Sequence, residues 1–142
     1  MATETIKVRD VMTPNPVALP TSATVSDAAK AMRDSDIGAV AVSDGKKVCG
    51  IVTDRDLVIR ALADGQDPRK VKLDEVCSRD PLSLNPEDDI DQAVHIMREK
   101  AIRRLLVMDG SKPVGVVSIG DLAQRLDRSS VLGEISSRQP NH

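Results

Sequence analysis

The chain repeats itself. Shifted by 65 positions, Val11–Leu57 overlays Val76–Leu122 without a gap, and 15 of the 47 paired positions are identical where ordinary composition gives about three. The identities include Pro16/Pro81, Met32/Met97, Arg33/Arg98, Asp44/Asp109, Gly45/Gly110, Gly50/Gly115 and Asp56/Asp121. This duplication limits the fold more than any other feature. Two similar units of about 60 residues are each marginal alone, so they are expected to bury their apolar faces against one another as a pseudo-two-fold pair. A length of 142 residues fits that plan, as one domain or two small ones sharing a core.

Both copies carry the same order of elements. A short extended stretch follows a Pro-containing turn, Val17-Ala18-Leu19 in the first copy and Leu82-Ser83-Leu84 in the second. Thr24 then caps a helix whose apolar face is Val25, Ala28, Ala29 and Met32, and Ile90, Ala93, Val94 and Met97 repeat that face. Asp44-Gly45 and Asp109-Gly110, dipeptides that tolerate positive φ, each close a β-turn-β unit. The second strand runs into GIVTDRD (50–56) or GVVSIGD (115–121), where another helix starts. Its inward face is expected from Leu57, Val58, Ala61 and Leu62, matched by Leu122 and Leu126, and Gly65 ends the first of these helices. GQDPRKVKLDE reads as a linker before a short helical turn, and the Ser-rich tail is expected to dock at most Val131, Leu132 and Ile135.

Composition narrows function. The chain has no Phe, Tyr or Trp, so 17 Val, 11 Leu, 9 Ile and 5 Met with Ala must build the core. Nucleic-acid binders that stack bases on aromatic rings are disfavoured, and 20 Lys+Arg against 22 Asp+Glu leave no basic surplus for duplex binding. The N-terminus mixes both charge signs without an apolar signal core, and the longest apolar runs are four residues, so a cytoplasmic protein without membrane attachment is expected. Cys49 and Cys77 lack metal-type spacing and read as reduced, packed thiols.

Thr53-x-x-Asp56 and Ser118-x-x-Asp121 stand where a buried strand turns into a helix. A carboxylate there can accept two hydrogen bonds side by side from vicinal ribose hydroxyls, with the hydroxyl and the helix N-terminus beside it for an anion. Gly50 and Gly115 could let a flat base approach the backbone. The same four-residue pattern is equally the signature of a helix capping box, and its duplication does not separate the two readings.

The segments DVMTPNPVALP, DIGAVAVSDGKKVCGIVTDRDLVIRALADGQDP and AIRRLLVMDGSKPVGVVSIGDLAQRL resemble a tandem CBS-domain protein, or Bateman module, of the stand-alone bacterial hypoxic-response type. The resemblance implies an α/β (α+β) fold of two pseudo-symmetric β-α-β-β-α repeats packed through their sheets. It divides the chain into a first CBS repeat at 8–65, a linker at 66–72, a second repeat at 73–128 and a flexible tail at 129–142. It further implies two clefts that bind adenosine-containing ligands, with AMP, ADP or ATP favoured over S-adenosylmethionine and no cofactor required. Ribose would fall to Thr53 with Asp56 and to Ser118 with Asp121. Met12, Thr13 and Val17 would line the base pocket of the Ser118/Asp121 site, and Cys77, Ser78 and Leu82 that of the other. Arg103 and Arg104, standing where the first copy has Gly38 and Ala39, resemble the family's phosphate-binding basic pair and can equally form a solvated cluster behind a helix end. Ala41 and Leu106 depart from the family's usual Pro at that strand position.

Nothing assembles a catalytic group or a metal site: His95 is alone on a helix, His142 is terminal and neither cysteine has a base beside it. The expectation is a non-enzymatic, homodimeric regulatory module that binds an adenine nucleotide and signals by conformation to an unidentified effector protein. The alternative is a ligand-independent homodimeric scaffold for protein–protein interaction.

Overall fold

The computed structural model describes residues 5–79 and 82–126. In chain order the elements are α1 (Val8–Val11), β1 (Thr13–Pro14), β2 (Ala18–Pro20), α2 (Val25–Ser35), β3 (Ala39–Ser43), β4 (Val48–Thr53), α3 (Asp54–Asp56), a π-helical segment (Leu57–Leu62), α4 (Leu73–Val76), β5 (Ser78–Arg79), β6 (Ser83–Leu84), α5 (Ile90–Lys100), β7 (Arg104–Asp109), β8 (Lys112–Ser118) and α6 (Ile119–Leu126). The fold is mixed α/β with two four-stranded sheets. The tail residues Val131, Leu132 and Ile135 lie outside the described residues.

The chain divides into two compact units: the described parts of Met1–Asn15, Leu82–Gly110 and Val114–Asn141, and the described part of Pro16–Pro81 with Ser111–Pro113. In the latter the strand order is β2-β3-β4-β5. β2 runs parallel to β3, and β3-β4 and β4-β5 are antiparallel. In the former the order is β1-β8-β7-β6, with β6 parallel to β7 and β1 antiparallel to β8. Each sheet therefore takes an edge strand from the residues that lead, in sequence, into the other copy. Gly50 faces Arg79 and Ile51 faces Ser78, while Pro14 faces Gly115 and Thr13 faces Val116. Pro14 sits in an edge strand, where its missing N–H costs the ladder nothing.

Backbone bonds reproduce the duplication. Leu73 N donates to Ala23 O (2.8 Å) and Val25 N to Val71 O (2.9 Å). At the same offset Val8 N donates to Asp88 O (2.8 Å) and Ile90 N to Ile6 O (3.1 Å). These bonds tie each lead-in segment to the start of the long helix in its own unit, and so fix where the segment enters the sheet.

The helix faces follow the apolar period. Val25, Ala28 and Met32 are buried on α2, and Ile90, Ala93 and Met97 on α5, whereas Ala29 is exposed. Thr24 caps α2 as expected: its Oγ1 accepts from Asp27 N (3.1 Å), and Asp27 Oδ2 accepts from Thr24 N (2.9 Å). Gly45 and Gly110 turn their hairpins at φ 96° and 62°.

The helix after Thr53 departs from expectation. Beyond α3 it winds as a π-helix, with Ala63 N donating to Val58 O (2.8 Å) and Gln66 N to Ala61 O (3.2 Å). The wider turn keeps Leu57 and Ala61 one above the other in the core. Val58 and Leu62, expected inside, are 54% and 64% exposed.

Candidate functional site

The two T/S-x-x-D turns form at the ends of β4 and β8. In the first copy Asp56 Oδ2 accepts from Thr53 N (2.9 Å) and Thr53 Oγ1 (3.0 Å), and Thr53 Oγ1 accepts from Asp56 N (3.2 Å). In the second, Asp121 Oδ2 accepts from Ser118 N (2.8 Å) and Ser118 Oγ accepts from Asp121 N (3.1 Å). Both are complete capping boxes, so each carboxylate is aimed by the backbone it caps. A carboxylate has a second oxygen, and there the copies differ.

Asp56 Oδ1 faces Arg60 Nε at 3.7 Å, one helical turn on, with the Asp56 side chain 16% exposed and that of Arg60 49%. The same guanidinium donates from Nη1 to Val76 O (3.3 Å), at the end of α4. The duplicate of this pair, Asp121 and Arg125, forms no such bond: among the described residues Asp121 Oδ1 has no protein partner. The sequence signal for Arg60 is the Asp-x-x-x-Arg spacing at 56/60, which 121/125 shares without the contact, so the spacing alone does not single Arg60 out.

The remaining candidates fall around these turns. The Gly38 carbonyl accepts from Asp54 N (3.0 Å), and at the same offset the Arg103 carbonyl accepts from Ile119 N (2.9 Å). That bond ties the Arg103-Arg104 backbone to the turn carrying Ser118 and Asp121, with the Arg103 side chain exposed and Arg104 half-buried at the start of β7. Met12 and Thr13 lie against Gly115 in the same unit, and Cys77 and Ser78 against Gly50 in the other. Val17 packs at the margin of the core that holds Cys77, and Leu82 is 46% exposed.

The glycines do a different job from the one expected of them. A Cβ on Gly50 would stand 2.8 Å from both Cys77 Sγ and Ser78 O, and one on Gly115 would collide with Met12 Sδ. The room each glycine leaves is taken by the chain's own lead-in strand. Burial pushes the Cys77 thiol above its ordinary pKa, which keeps it protonated and a poor nucleophile. The thiol packs in the core of its unit. His95 is exposed, and among the described residues no three His, Cys, Asp or Glu side chains gather as a metal site requires.

Two duplicated α/β units, each with a capped carboxylate at a strand-to-helix turn, define a paired-repeat module. The CBS domain family matches residues 8–62 and 73–128, and the chain belongs to that family as a tandem pair. Protein YlbB of Bacillus subtilis is 35% identical over 136 residues, covering 92% of this chain and 91% of its own. Hypoxic response protein 1 of Mycobacterium tuberculosis is 30% identical over 125 residues, 87% of each chain. A crystal structure of Hypoxic Response Protein I with two coordinated zinc ions overlays with a TM-score of 0.73 at 31% identity, covering 84% of this chain and 98% of that one. The CBS domain pair of protein MJ0100, in complex with 5-methylthioadenosine and S-adenosyl-L-methionine, shares the fold with a TM-score of 0.80 at 21% identity, covering 89% and 100%. Among the described residues no helix is long and apolar enough to cross a membrane.

Proposed function

We propose that this CBS pair is a non-enzymatic regulatory module that binds an adenine nucleotide, AMP, ADP or ATP, at its T/S-x-x-D turns and passes a conformational signal to an effector protein. The observation that carries the reading is the Ser118–Asp121 turn. Its carboxylate is aimed by a capping box and keeps one oxygen for a ribose hydroxyl, and the Arg103-Arg104 backbone is bonded to the same turn. Ser118 serves the ribose or phosphate, Arg103 and Arg104 the phosphate, and Met12 and Thr13 a wall for the base. Thr53 and Asp56, with Cys77 and Ser78, are the duplicate set. The adenosine compounds held by MJ0100 support this ligand class at the level of the fold alone.

The functional repeats in this reading are 8–65 and 73–128, joined by 66–72, and the setting is the cytoplasm. The module works as a homodimer, a part of the proposal supported by the exposed apolar side chains of the π-helical segment. Signalling is linkage: the nucleotide shifts a conformational equilibrium only by its differential affinity for the two states.

The missing aromatic rings make the test simple, because the protein is nearly silent above 250 nm. A 260 nm band from the freshly purified, denatured protein, or saturable heat on titrating nucleotide-free protein with AMP or ATP, is the expected result. The double variant Asp56→Ala/Asp121→Ala should lose tenfold to a hundredfold in affinity, or about 1.5–3 kcal/mol, as charged hydrogen bonds to ribose disappear. A silent spectrum with flat titrations of AMP, ATP and S-adenosylmethionine would instead favour the ligand-independent scaffold.

A further inference from the structure

The duplication gives two turns of the same sequence pattern and two different states of their carboxylates. Asp56 has both oxygens engaged, Oδ2 by Thr53 and Oδ1 by Arg60, whereas among the described residues Asp121 has a partner on Oδ2 alone. The Arg60 guanidinium reaches from the carboxylate to the Val76 carbonyl, one residue before the Cys77-Ser78 segment that would wall the base. It therefore spans the place where ribose hydroxyls would meet Asp56. Arg125, at the same register of the second copy, bonds neither Asp121 nor the carbonyl of Val11, the duplicate of Val76. The winding differs in parallel, since Arg60 rides on the π-helical segment and Arg125 on the regular helix α6.

We propose that the two halves are not equivalent: the Ser118/Asp121 half is the nucleotide site, and the Thr53/Asp56 half is held shut by Arg60 acting as an internal plug. This rests on the nucleotide reading above and adds which half binds and what closes the other. The plug is held by a partly exposed ion pair and one hydrogen bond to a carbonyl, interactions whose joint loss amounts to about tenfold in affinity. The closed half is thus about tenfold weaker for AMP rather than absent, and Arg60 sets how far the affinities of the two halves lie apart.

The test is calorimetric titration of the nucleotide-free, full-length chain with AMP, with thermal melting of every variant to verify folding. Wild type should show one tight equivalent per chain. Asp121→Asn, which keeps an oxygen to accept from Ser118 N, should weaken that equivalent tenfold or more. Arg60→Gln, with Arg60→Met as a second variant, should tighten the weak second equivalent about tenfold, towards the affinity of the first, and that gain should vanish again in Arg60→Gln/Asp56→Asn. Two equal tight sites in wild type overturn the proposal, as does a tight equivalent that survives Asp121→Asn. Weaker binding in Arg60→Gln also overturns it, because it makes Arg60 a phosphate ligand. A wild type that binds no AMP, ATP or S-adenosylmethionine overturns the nucleotide reading itself and takes the plug with it, whereas binding with the wrong variant pattern overturns the plug alone.

Discussion

Gly50 and Gly115 show how closely two duplicated residues can agree in role and differ in tolerance. Each lies in the central part of a strand and is crossed by the lead-in strand, yet the atoms over them differ. Gly50 faces a buried cysteine and a backbone carbonyl, both at 2.8 Å from where a Cβ would stand. Gly115 faces chiefly the side chain of Met12, which has rotatable bonds with which to move aside, and Thr13 O at 3.0 Å. Gly50→Ala must therefore push the β5 backbone away from β4 and should cost about 1–3 kcal/mol, the usual range for overpacking a close-packed site. Gly115→Ala should cost less. Urea unfolding of the two variants measures the difference, and equal losses would mean that Met12 is held as rigidly as the carbonyl of Ser78.

At the scale of elements, one device recurs: a carboxylate on the third residue of a helix accepts the N–H of the residue that precedes the helix. Asp10, Asp27, Asp56, Glu75 and Asp121 all do this, at 2.8–3.0 Å. The backbone bond to Thr24, joined by the Thr24 hydroxyl, holds the Asp27 carboxyl below its ordinary range. Backbone N–H groups do the same for Asp44 in the first hairpin and Asp67 ahead of α4. A depressed folded-state pKa contributes stability that is present above the unfolded value of 3.8 and is lost as pH falls through the folded one. Urea midpoints should hold steady down to about pH 5 and fall steeply below about pH 4. Asp27→Asn, which cannot lose a charge on acidification, should flatten that fall. Helix positions and hairpins were legible because period and turn chemistry are local: Val25, Ala28 and Met32 on one face, Asp-Gly at each turn. The exchanged edge strands were not, because Thr13-Pro14 and Ser78-Arg79 are too short for any pattern to name their partners. For the site, the carboxylates were legible and the Arg60 contact was not, since it depends on how a helix read as regular actually winds.

The whole molecule carries its duplication unevenly. Bonds that anchor the lead-in segments, the sheet orders and the capping boxes of the two T/S-x-x-D turns repeat at the offset of 65, while the Thr24–Asp27 box, the ion pair on Asp56 and the π-helical winding occur in the first copy alone among the described residues. That winding also turns Val58, Ile59 and Leu62 outward, at 54%, 48% and 64% exposure, beside a core that Leu57 and Ala61 still enter. Three large aliphatic side chains within five residues are a costly surface to leave in water, at about 25 cal/mol for each Å² of apolar area that a partner would cover. A second copy of the same chain can cover it with the same residues, as an isologous interface requires. Light scattering should therefore give wild-type protein twice the 15.3 kDa chain mass. Leu62→Asp and Val58→Asp, which place a charge in that interface without touching the core, should shift the mass to a single chain and leave the unfolding of the monomer within about 0.5 kcal/mol of wild type. A wild type that stays monomeric, or a Leu62→Asp variant that stays dimeric, would move the association to another face and leave this apolar strip to the effector.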